Sequence, residues 1–96
     1  MCNLGLRPTE ACILRMREAF PKDARVVLVW MDDPYRRIPA GTLGTVTGID
    51  GMGTIRVSWD ERSSHGVVWN VDIVKNVQTG VQSNSFWDDY IPLAAL

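Results

Sequence analysis

The stretch Thr54-Ile55-Arg56-Val57-Ser58-Trp59 alternates polar and apolar residues without a break. On an extended chain Ile55, Val57 and Trp59 fall on one face and Thr54, Arg56 and Ser58 on the other, which is the pattern of a half-buried strand. Just before it, Asp50-Gly51-Met52-Gly53 is a hairpin signal. The partner strand is residues 42–49, Thr42-Leu43-Gly44-Thr45-Val46-Thr47-Gly48-Ile49, whose glycines point to strong bending or close backbone approach. Further back, residues 25–31 carry Val26, Val27, Leu28, Val29 and Trp30, the composition of a buried strand. Asp32-Asp33-Pro34-Tyr35-Arg36-Arg37 is then a loop, because Pro34 forbids regular pairing. Ile38-Pro39-Ala40-Gly41 reads as a tight turn. Forward from Trp59, residues 60–64 give a turn and residues 66–71 a fourth strand. Residues 72–77 give a short turn and a fifth strand. Short strands joined by Gly-rich turns predict a meander curled into a small closed barrel, closure being the way so small a sheet loses its edges.

The flanks differ from this core. Residues 8–20 read as a helix, with Thr9 as cap, Glu10 in the first turn and Pro21 as the stop. Cys12, Ile13, Met16, Ala19 and Phe20 share one face, while Arg15, Arg17 and Glu18 lie mostly off it. Either the apolar stripe packs on the barrel or the arginines face a partner. Residues 78–85 look like a polar linker. Phe86-Trp87-Asp88-Asp89-Tyr90-Ile91 then concentrates aromatic and acidic groups. The division expected is a helical arm over residues 1–24, a barrel over 25–77, and a linker with an aromatic–acidic tail over 78–96.

The chain has 96 residues, enough for one domain. With 46% hydrophobic and 22% charged residues it has the composition of a soluble globular protein. The net charge is -1, so the basic surplus of a dedicated duplex binder is missing. The charge is uneven: residues 1–37 carry seven Lys/Arg against five Asp/Glu, and residues 81–96 carry two Asp and no base. The two cysteines, Cys2 and Cys12, match no zinc spacing, since the only histidine is His65. Reduced thiols are the simplest reading. There is no signal-peptide pattern and no run near the ~20 apolar residues of a membrane span. A cytoplasmic protein without cofactor, metal or membrane association is expected.

Arg25-Val26, Leu28, Met31-Asp32-Asp33-Pro34-Tyr35, Ile38-Pro39, Gly41-Thr42, Gly44-Thr45-Val46, Asp50, Gly53-Thr54-Ile55, Val57, Trp59-Asp60 and Asp72-Ile73 together carry a resemblance. The stretch from Arg25 to Val77 resembles a domain-of-unknown-function family of short bacterial and phage proteins. That resemblance implies a mainly β fold: a five-stranded SH3-like (KOW-like) small barrel, here with an N-terminal α-helix and a C-terminal tail. It implies the genetic setting of phages and mobile elements, where small proteins that block host defence, anti-CRISPR proteins among them, are common. It brings no catalytic residues, and it leaves the helix and the tail outside the match.

Catalysis finds little support. His65 is alone on a Ser-Ser-His-Gly turn and is expected to be exposed, and no acid partner orients it toward Ser63 or Ser64. Asp32 and Asp33 are adjacent and point apart on an extended chain. They cap a turn before Pro34, bind a partner, or serve a metal or catalysis. A filled small barrel leaves little room for a substrate cleft. Binding of a protein is the favoured function, as an inhibitor or regulator of a host complex. Trp59 belongs to the core, and Trp30, Trp69 and Trp87 cannot all be buried easily in so small a barrel. Aromatic groups beside Arg have the composition of an interface hot spot. The expected partner-binding set is Trp30, Asp32, Asp33, Tyr35, Arg36, Arg37, Trp69, Trp87, Asp88, Asp89 and Tyr90. The tail either docks on a partner or folds back over the barrel, and Ile91, Leu93 and Leu96 offer a surface for a homodimer. The alternative partner is nucleic acid, held by Arg36 and Arg37 beside Tyr35, with Arg7, Arg15, Arg17, Lys22 and Arg25 extending the patch.

Overall fold

The alternation in Ile55–Trp59 becomes alternation in burial: Ile55, Val57 and Trp59 are buried, while Arg56 and Ser58 face solvent. A computed structural model describes residues 6–32 and 38–92. The elements run β1 (Leu6–Pro8), α1 (Glu10–Ala19), β2 (Arg25–Trp30), β3 (Leu43–Ile49), β4 (Ile55–Trp59), β5 (Ser64–Val67), β6 (Ile73–Asn76), a 3₁₀ turn (Ser83–Phe86) and β7 (Tyr90–Pro92). Asp33, Tyr35, Arg36 and Arg37 lie outside the described residues, as do Pro34, Cys2, Leu93 and Leu96.

Strands β2 to β5 form an antiparallel meander, and β6 returns to pair with β2, giving the sheet order β5-β4-β3-β2-β6. The fold is therefore mainly β with one N-terminal helix. The expected closure of the barrel is not present: among the described residues β5 and β6 do not pair. Two local causes are visible. Strand β5 begins and ends earlier than expected, because the chain turns at Val68–Asp72, where the Asp72 N–H donates to the Val68 carbonyl (2.9 Å) and Asn70 takes a positive φ of 67°. The far edge of β6 is already occupied by the returning chain. There the Asn76 N–H donates to the Val81 carbonyl (2.9 Å), and Lys75 bridges to Gln82. His65 accordingly sits within β5, opposite Val57, half-buried rather than on an exposed turn.

Two bulges bend the sheet. On β3 the register shifts between Val46 and Gly48, where the sequence places a glycine. On β2 it shifts between Leu28 and Trp30: Leu28 faces Val74 while Trp30 faces Ile73, so one extra residue is accommodated on β2. Strict alternation would send Trp30 into the core beside Leu28. The extra residue turns it outward instead, 56% exposed.

One face of the sheet is buried. Val26, Leu28, Val46, Ile55, Val57, Trp59, Val67 and Val74 form one core with Cys12, Ile13, Met16 and Phe20 of the helix and with Ile38 and Trp69. The helix forms as its sequence dictates, the Thr9 hydroxyl accepting from the Cys12 N–H (3.1 Å) and Phe20 closing the C-terminal end. Its end is fixed by the Asn76 amide, which donates to the Ala19 carbonyl (2.8 Å). Residues 78–85, polar in composition, are bonded along their length. The Asn76 side-chain oxygen accepts from the Gln78 and Thr79 N–H groups, and the buried Ser83 hydroxyl accepts from the Val74 N–H (3.0 Å). Beyond the 3₁₀ turn, β7 pairs antiparallel with β1 as a small second sheet.

Candidate functional site

The outer face of the sheet is the surface on which the fold leaves apolar side chains uncovered. Its centre is β2, whose odd positions point away from the core: Val27 lies opposite Leu43 on β3 and opposite Lys75 on β6. Leu43, Val29, Val77 and Trp30 are all exposed. At the β3 side the patch is bounded by Arg25, whose guanidinium grips Asp60 through both carboxylate oxygens (2.8 and 2.6 Å) and also donates to Thr45 Oγ1 (3.0 Å). The bidentate contact holds the Asp60 carboxyl below its ordinary range and raises the arginine above its own.

Trp30 and Asp32 sit where β2 runs out toward residues 33–37. The exposed Asp32 is tied through its backbone: its N–H donates to Asp72 Oδ1 (2.9 Å). The other Asp72 oxygen accepts from the Val68 N–H (2.9 Å). This buried carboxylate thus joins the start of the loop to the turn before β6, a role that nothing in its sequence neighbourhood announced.

The other expected binding residues that are described, Trp69, Trp87, Asp88, Asp89 and Tyr90, lie where the tail returns to the helix. Of the three tryptophans that could not all be buried easily, Trp69 is inside: it is 2% exposed, its indole N–H donates to the Phe86 carbonyl (3.2 Å), and its ring lies 6.4 Å from that of Tyr90. A buried indole needs one acceptor, and the returning tail supplies it. Trp87 is half-buried against the core, and Phe86 meets Phe20 edge-on at 6.3 Å. Asp89 is an internal partner: its carbonyl accepts from the Thr9 N–H (3.2 Å) and its carboxylate from the Arg15 guanidinium (2.6 Å). The Arg15 contact, with a smaller contribution from Thr9, lowers the Asp89 carboxyl below its ordinary pKa. Asp88 and Tyr90 stay on the surface. The Cys12 thiol donates to the Phe86 carbonyl (3.1 Å), and burial, reinforced by the nearby Asp89, raises its pKa.

A third surface runs along the helix. Arg7, Glu10, Ile13, Leu14, Arg17 and Gly51 line a groove of about 410 Å³. Arg17 also lines a neighbouring groove of about 400 Å³ with Phe20, Pro21, Lys22, Thr47, Gly48 and Ile49. The sequence placed Arg7, Arg17 and Lys22 in one basic patch with Arg15 and Arg25, but the last two are engaged by Asp89 and Asp60. Leu14, an apolar residue off the buried stripe and 59% exposed, was the available sign of this surface. Among the described residues no three His, Cys, Asp or Glu side chains converge as a metal ion requires. No helix among them is long and apolar enough to cross a membrane.

These features define a small, mainly β domain whose helix α1 shares the core of an open five-stranded sheet. The chain belongs to the family described as Domain of unknown function (DUF4314), whose profile matches residues 9–77, more than half of its length. The match takes in the helix, which the resemblance had left outside, and it stops before the tail. No curated protein and no solved structure gives a significant match to the chain.

Proposed function

We propose that this protein is a non-enzymatic protein-binding module that uses the outer face of its sheet, centred on Trp30. The carrying observation is a tryptophan turned outward by a β-bulge and left 56% exposed beside Val29 and the Leu43–Val27 pair. A sheet ordinarily hides its aromatic residues, and an exposed aromatic group amid aliphatic ones is the composition of an interface hot spot. The connectivity supports an SH3-like barrel, since a four-strand meander followed by a last strand beside the first is the arrangement of such folds. The resemblance to short phage and mobile-element proteins supports a role in the host cytoplasm, as an inhibitor or regulator of a host or defence complex of the kind anti-CRISPR proteins target.

The test is capture of partners from a host lysate by the tagged protein, with and without nuclease. Protein capture should survive nuclease and fall with Trp30→Ala. Truncating a hot-spot tryptophan costs about 2 kcal/mol or more of binding, roughly thirtyfold in affinity. Loss of every partner after nuclease would replace this reading with nucleic-acid binding. In that case Arg36→Ala with Arg37→Ala should weaken binding and flatten its salt dependence.

A further inference from the structure

Not every cation on and around helix α1 is answered by an acid among the described residues. Arg15, Arg25 and Arg56 each meet a carboxylate, of Asp89, Asp60 and Asp50 respectively. Arg7, Arg17 and Lys22 meet none among the described residues, and they line the two grooves that share Arg17. Arg7 Nε is buried without a hydrogen-bond partner, so this guanidinium is partly desolvated and short of acceptors. Arg17 spends one donor on the Ile49 carbonyl (3.0 Å), which holds its side chain across the junction of the grooves. Among the described lining residues the one acid is Glu10.

Between these cations the apolar side chains of the lining are mostly aliphatic. Ile13 and Leu14 contribute to one groove and Ile49 to the other, with Leu14 standing 59% exposed in the first. The aromatic residue present, Phe20, is 1% exposed and offers no face for a base to stack on. Cationic rims over an aliphatic floor fit a chain that alternates carboxylates with aliphatic side chains better than they fit a polynucleotide.

We propose that the paired grooves between helix α1 and the β3–β4 hairpin dock an acidic segment of a partner protein, its carboxylates set on Arg7, Arg17 and Lys22 and an aliphatic side chain against Leu14. This rests on the protein-binding reading for the class of partner but uses a different surface, so the two fail separately.

The probes are fluorescently labelled synthetic peptides of alternating Glu and Leu, or of alternating Lys and Leu, and a labelled single-stranded oligonucleotide. The intact protein should bind the Glu–Leu peptide and not the Lys–Leu peptide. The amide resonances of Leu14, Arg17, Lys22 and Gly51 should move on titration, and the affinity should weaken as salt is raised. Lys22→Glu and Leu14→Glu change exposed side chains, so they should melt like the parent and still bind the peptide roughly tenfold more weakly each. Failure to bind the Glu–Leu peptide, equal binding of both peptides, or oligonucleotide binding that the same variants abolish would each overturn the proposal. Lysate capture that depends on Trp30 would stand or fall independently of these results.

Discussion

Gly44 shows how little space the centre of this sheet leaves. A Cβ there would come within 2.5 Å of Val57 Cγ1, 2.8 Å of Trp59 and 3.1 Å of the Ser58 carbonyl. Gly44→Ala should therefore destabilise the fold by about 1–3 kcal/mol, read as a lower urea midpoint, because β4 and its tryptophan cannot retreat without opening the core. Gly53 combines a φ of 82° with Pro8 Cγ at 2.7 Å from its would-be Cβ, so hairpin and β1 constrain the same position. Asp72 works through hydrogen bonds. Its two oxygens take the N–H groups of Asp32 and Val68, and Asp72→Ala would leave these donors without acceptors. A loss of about 2–3 kcal/mol is expected, partly restored in Asp72→Asn, which keeps one carbonyl acceptor. At Trp30 the expectation differs: Trp30→Ala should melt within a degree or two of the parent, since the residue is already more than half exposed.

At the scale of elements, β1 and β7 form a strap that holds the helix and the tail together. It consists of a short antiparallel pair and the Arg15–Asp89 contact, with the Thr9 N–H donating to the Asp89 carbonyl. The Asp89 carboxyl titrates below its ordinary value of 3.8 in the folded protein. The unfolded chain binds its proton more readily, so the pair's stabilisation is complete above that ordinary value and disappears as pH falls through the lower folded one. Asp60, lowered by Arg25, behaves in the same sense. Urea midpoints followed from neutral pH to below 3.8 should fall in the parent and fall less in Asp89→Asn. Hydrogen exchange at β1 and β7 should quicken in Asp89→Ala while β3 and β4 keep their protection. Removal of residues 82–96 should destabilise the whole chain, because it takes away the Ser83 acceptor of Val74 and the Phe86 edge against Phe20.

For the whole molecule, one side of the sheet is spent on stability and the other leaves Val29, Trp30, Leu43 and Val77 exposed. Helix, tail and sheet share one core, so the tail carrying Trp87 and Asp89 serves first as internal packing. Among the described residues from Phe86 to Ile91, Asp88 and Tyr90 are the exposed ones. If the outer face of β2 joins two copies, sedimentation will show a dimer that Trp30→Ala dissociates. A monomer at all accessible concentrations would rule out self-association through that face. What the sequence by itself determined is local: the strand in Ile55–Trp59, the hairpin at Asp50–Gly53, the helix capped by Thr9 and stopped by Pro21, and β2 and β3 to within a residue of their ends. Those signals depend on alternation, capping and turn chemistry within a few residues. Only the tertiary structure decided that Trp69 is inside and Trp30 outside, that the sheet stays open, and that Arg15 and Arg25 are paired while Arg7, Arg17 and Lys22 are not. Most of these depend on a residue far along the chain: the Phe86 carbonyl for Trp69, the Val74–Ile73 register for Trp30, and Asp89 and Asp60 for the arginines; the open sheet depends on strand edges that meet only in three dimensions. No pattern confined to a window of sequence can register a partner tens of residues away.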